Sequence, residues 1–201
     1  MNTAPAPTRA QRSATADFVT VILFAIAAGI GTIITTTLRL FDMFRPDGFA
    51  WRLHIDELPV DTSFGAALTD SVLVVSPDVN AVSMASGAVS GIIAGLAALT
   101  VTAAVAFVAW RFLRGGFFVT ATARAFDVIG WTLLIGGVGV MSFDTLARNG
   151  VLAAVGIEGE PIHPTEFAAF APVWAIAVAV GLLGHAFRRG IRLQKETEGL
   201  V

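Results

Sequence analysis

Hydrophobic positions gather into four long stretches, residues 18–38, 86–110, 128–143 and 167–187, and the segments between them hold the charge. A helix needs roughly 20 apolar residues to cross a bilayer core about 30 Å thick. The first, second and fourth stretches reach that length without an internal Asp, Glu, Lys or Arg. The third is shorter: its 16 residues make about 24 Å of helix. Asp127 stands at its start, with Arg124 one turn earlier and able to snorkel to the interface. The third span is therefore set at 126–143, on a helix beginning near Thr120, which is expected to cap it. A soluble bundle would repeat polar residues every third or fourth position. Residues 86–110 are interrupted only by Ser, Thr and Gly. The pattern predicts an all-α membrane protein, a four-helix transmembrane bundle.

The loop between the first two spans, residues 39–85, is too long for a simple connector. Trp51-Arg-Leu-His-Ile-Asp56 alternates apolar and polar positions as a half-buried strand does. Ser71-Val-Leu-Val-Val75 is a β-branched run closed by Ser76-Pro77-Asp78. These predict a small β-containing extracytoplasmic loop domain between helices 1 and 2, against the rival of an unstructured acidic loop. The loop after the third span, residues 144–166, contains a short apolar patch, 151–157, between Asn149-Gly150 and Glu158-Gly159. It is too short to cross a bilayer and reads as an interfacial or loop segment.

Charge sets the orientation. Of the 13 Lys and Arg, nine fall in the N-terminal tail (1–17), the connector (111–125) and the C-terminal tail (188–201), and four in the two other loops. The positive-inside rule then places both termini in the cytoplasm. Arg9 and Arg12 precede the first stretch as in a secretory signal, but its 21 residues exceed the 7–15 of a signal's apolar core. It reads as a retained span. Composition agrees with a bilayer protein: mean hydropathy is +0.76 and 14% of residues are charged. A net charge of −2 leaves no footprint for nucleic acid. Cysteine is absent, so disulfides and thiol chemistry are excluded.

Gly87, Gly91 and Gly95 form two overlapping GxxxG steps in the second span, with Ala27 and Gly31 a smaller version in the first. Small residues four apart line one helix face and admit another backbone. Packing within the bundle is the first reading, and a seam with a second copy or another membrane protein is the alternative. No ionisable residue lies in mid-span, which argues against an active transporter. His54, His163 and the nearby carboxylates Asp56, Glu158 and Glu160 read as solvated loop residues rather than a metal site, since their spacing follows no zinc motif. No catalytic signature and no cofactor-binding motif is present, so no enzyme activity is expected.

Two segments carry a resemblance. Gly115, Phe118, Arg124 and Gly130 follow the second span, and Phe187, Gly190, Leu193, Glu196 and Val201 run through the C-terminal tail. In this order they resemble the DUF2975 family, small bacterial four-span membrane proteins of unknown function. Phe117 stands where the family's turn has proline, and Thr122 where Asn is usual, so the turn geometry is open to difference. The resemblance implies a bacterial plasma-membrane protein of a family with no assigned activity, and, by association, a cytoplasmic helix-turn-helix regulator as partner. Docking of that regulator would fall to the connector and the tail. The alternative is an accessory component of a membrane transport complex, and membrane anchoring alone also explains basic residues at a lipid surface.

Overall fold

The computed structural model describes residues 9–62, 65–156 and 164–198. Along the chain run α1 (Arg9–Met43), β1 (Phe44–Arg45), β2 (Gly48–Thr62), β3 (Gly65–Ser76), α2 (Ala81–Leu113), α3 (Thr120–Ala154) and α4 (Pro164–Glu198). All four helices are long and apolar enough to cross a membrane. Only 6% of the most apolar stretch of α1 is buried by the rest of the chain, and 11% of that of α4. Phe24, Trp131 and Leu182 are each more than half exposed. In water so much uncovered apolar surface would drive association; in hydrocarbon it is ordinary. Hydroxyls inside the helices are satisfied locally, as lipid demands. Thr20, Thr32, Thr100, Thr102 and Ser142 each donate to the carbonyl four residues earlier.

The chain divides into two compact units. Unit one comprises Met1–Ile34, Gly95–Gly137 and Phe170–Val201; unit two comprises Thr35–Ala94 and Val138–Ala169.

Unit two contains the sheet. Its strands are antiparallel in the order β1-β2-β3. The loop between helices 1 and 2 is thus a β-hairpin with a short third strand, and both predicted strands extend beyond their sequence limits. Register runs Trp51↔Val74 and Leu53↔Val72, with an irregularity between His54 and Leu58. Pro46-Asp47 turns β1 into β2. Gly48 follows with φ +140, and a Cβ there would meet the Ser76 carbonyl carbon at 2.5 Å. Only glycine fits.

Alternation along β2 sends Phe49, Trp51 and Leu53 into a core with Met43, Val79, Ala147 and Val151, while Arg52 is exposed. The residues read as an apolar loop patch therefore have another role. Residues 151–154 continue α3, and Val151 is fully buried beneath the sheet's aromatic face. Asn149 and Gly150, which bound that patch in the sequence, lie inside the helix. α2 opens on an Asn80 cap, whose Oδ1 accepts from the Ser83 amide at 2.9 Å.

Gly87 faces the same core. A Cβ there would lie 2.8 Å from the Trp51 ring and 2.9 Å from the Phe49 ring. Gly87→Val is expected to destabilise the protein by about 1–3 kcal/mol through overpacking, measured by thermal unfolding in mild detergent. An unchanged unfolding midpoint would mean that the sheet does not rest on α2.

In unit one, the α2–α3 connection is dictated by hydrogen bonding at a helix end. The Gly115 amide donates to the Phe112 carbonyl and the Gly116 amide to the Arg111 carbonyl, both at 2.9 Å. Gly115 has φ +75. This is a Schellman close, which needs a left-handed residue at Gly115. Thr120 is not the cap of α3. The Val119 carbonyl accepts from the Thr122 and Ala123 amides, so the cap falls one residue earlier, at Val119.

Candidate functional site

In unit one, phenylalanines from all four helices meet around the α2–α3 turn. Phe112 stacks on Phe117 at 4.8 Å and on Phe187 at 6.2 Å, and Phe18 meets Phe112 edge-on at 5.7 Å. Phe187 also touches Phe118 and Phe126, at 5.5 and 5.0 Å. Gly190 makes room for this cluster: a Cβ there would fall 2.8 Å from the Phe118 ring. Gly130 holds α3 against α4, with its would-be Cβ 3.2 Å from the Ala177 carbonyl oxygen. Gly115, Phe118, Gly130, Phe187 and Gly190 are thus brought into one framework. Arg124, Leu193 and Glu196 remain exposed, and Val201 lies outside the described residues.

An ion pair locks the same framework. The Arg188 guanidinium donates to both Asp127 carboxylate oxygens, at 2.6 and 2.5 Å, and its second terminal nitrogen lies 2.8 Å from His185 Nδ1. Gly184 permits the approach, since a Cβ there would stand 2.9 Å from Asp127 Oδ1. Both contacts to Asp127 come from one nitrogen, Nη1, so the carboxylate is held by charge-assisted hydrogen bonds while the other terminal nitrogen is turned to His185. Elsewhere in this unit Arg114, Arg124, Arg189, Arg192 and Lys195 are exposed, and Arg114 also lies over the Trp110 ring at 4.2 Å.

Unit two carries a polar cluster of its own. The Ser90 hydroxyl donates to Asp144 at 2.5 Å, and Arg39 stands 3.6 Å from the same carboxylate oxygen. Ser90 is completely buried. Asp144 was assigned by sequence to a loop, but it lies inside α3. No motif signals this contact. Its only trace in the sequence is an arginine and an aspartate each placed just past the last apolar residue of a span.

The glycine faces separate in the structure. Gly91 lies against Leu40 of the same chain, its would-be Cβ 3.5 Å away, and Gly95 is buried. Beyond Gly31 there is open space, and Ala27 is exposed. Among the described residues no group of three or more His, Asp or Glu side chains converges. Glu158, Glu160, His163 and the side chains of His54 and Asp56 lie outside the described residues. No protein-family model, curated protein or solved structure matches the chain. Function must therefore be argued from the geometry.

Proposed function

We infer that the chain is a non-enzymatic regulatory or sensory protein of the bacterial plasma membrane, with cytoplasmic termini and an inner face that binds a soluble regulator. One observation carries this reading. Beside the aromatic cluster and the Asp127–Arg188 pair, the motif residues Leu193 and Glu196 are exposed on the last turns of α4, where Leu193 is 56% exposed between Arg189 and Glu196. Arg189, Leu193 and Glu196 follow the helical repeat and share one face. A leucine flanked by both charge signs on a fixed helix suits a protein partner better than a phosphate surface alone, which needs only cations. The resemblance to the DUF2975 family names the class of partner, a helix-turn-helix regulator.

Arg188 is unsuited to testing this, because it holds Asp127. Leu193→Asp combined with Arg189→Gln leaves the base intact. Affinity capture with the full chain in mild detergent should recover a cytosolic DNA-binding protein, which the double variant loses at least about tenfold, as expected for removal of a central interface anchor. The same set of cytosolic partners on both proteins would refute the reading.

One observation favours the alternative, an accessory role in a transport complex. The open Ala27 and Gly31 face of α1 lies beside exposed Phe24 and Ile30. Gly31→Leu should then reduce a larger native assembly to the monomer. A monomeric wild type removes the basis for it.

A further inference from the structure

A groove of about 260 Å³ in unit one runs between α3 and α4. Gly130, Ala177 and Gly181 form its floor, Trp131 and Val178 are among its walls, and the Asp127–Arg188 pair closes one end. Trp131 and Val178 are each more than 60% exposed, so the groove opens sideways onto the surface that lipid covers. From Asp127 to Leu134 it follows two turns of α3, about 10 Å, the length of the upper part of an acyl chain.

The polar end gives the groove a direction. Asp127 pairs with Arg188, and among the described residues the flanking cations Arg124 and Arg192 form no ion pair. Arg124 is three residues before Asp127 on the same stripe of α3, and Arg192 four residues after Arg188 on the same stripe of α4; both are exposed. An occupant must therefore be apolar along one stretch and anionic at one end. We propose that this groove is a binding site for one anionic phospholipid, its acyl chain on the Gly130–Ala177–Gly181 floor and its phosphate between Arg124 and Arg192. A helix from another chain would fill the apolar part but leave those cations unmatched. A zwitterionic lipid carries no net charge to meet them.

Gly181 offers a direct test, because nothing lies within 4 Å of a Cβ built there. Gly181→Leu places its side chain in the groove, its Cβ meeting no neighbour. The full-length protein, delipidated in mild detergent, is titrated with phosphatidylglycerol or with phosphatidylcholine of the same chains, and adducts are counted by native mass spectrometry. Wild type should take up one phosphatidylglycerol, preferred about fivefold or more over phosphatidylcholine for each engaged arginine. Gly181→Leu should lose the adduct while keeping its helical circular dichroism. Arg124→Gln with Arg192→Gln should keep lipid uptake and lose the headgroup preference, and this second variant decides the matter if Gly181→Leu folds poorly. Equal binding of both lipids by wild type would overturn the proposal. So would an unchanged adduct on a folded Gly181→Leu protein, or a wild-type dimer that Gly181→Leu splits. Neither variant touches Arg189 or Leu193, so this result is independent of the regulator-binding test.

Discussion

Gly150→Ala is expected to be among the most damaging single-methyl changes at the described residues. A Cβ on Gly150 would overlap both the Oγ and the Cβ of Ser83. The two residues bring α3 and α2 into contact within unit two, and although the Ser83 Oγ can rotate away about χ1, its Cβ cannot. Relief requires moving helix backbone, close to the Asn80 cap that holds the Ser83 amide. Overpacking in a well-packed interior costs about 1–3 kcal/mol and occasionally more; this site belongs at the upper end, about 3 kcal/mol. Unfolding of the detergent-solubilised protein, followed by circular dichroism, measures it. Combining Gly150→Ala with Ser83→Gly should recover much of the loss, because the second change removes the obstructing atoms. Ser83→Ala should not, since the Cβ remains. Additive effects of Gly150→Ala and Ser83→Gly would show that the two positions are not in contact.

The second large effect is expected at Asp144. Its carboxylate accepts from a fully buried Ser90 hydroxyl and stands beside Arg39. Asp144→Ala strands the hydroxyl and leaves the guanidinium without its counter-charge. A hydrogen bond to a charged group is worth about 1.5–3 kcal/mol, so a loss of about 2 kcal/mol or more is expected. Asp144→Asn keeps an acceptor for Ser90 and removes only the charge, and should cost less. Comparing the two in the same unfolding assay separates hydrogen bond from ion pair. Equal losses would assign the whole effect to charge, and no loss from either would show that Ser90 and Arg39 do not depend on this carboxylate.

These two positions also show where sequence reading stops. The four spans were legible because desolvation acts on every residue of a helix in lipid, so apolar run length records it directly. The strand around Trp51 was legible for a related reason: one face is buried and the alternation survives. Gly150 lies in the stretch expected as a loop, whereas it is part of α3, where it packs against Ser83. Val151 was misread because hydropathy reports where lipid ends, not where the helix ends, and α3 continues past Asp144 to Ala154. At the other end of the same helix, Asp127 was visible as a boundary residue, but its partner 61 positions away was not. Pairings over such separations leave no periodicity to read. The phenylalanine cluster was hidden likewise: each ring alone resembles an interfacial anchor, and only the fold brings rings from four helices together. Phe117, standing where the resembling family has proline, joins that cluster, while Gly115 makes the turn.

The absence of cysteine in the sequence opens a direct test of the whole arrangement, since any introduced thiol is unique. Asp78→Cys, in the exposed turn after β3, and Thr197→Cys, exposed near the end of α4, are each probed in spheroplasts with a membrane-impermeant maleimide. The account predicts labelling of Asp78→Cys in intact spheroplasts, labelling of Thr197→Cys only after permeabilisation, and retention of both proteins in carbonate-washed membranes. Reversed labelling, equal labelling of both positions before permeabilisation, or release by carbonate would contradict it.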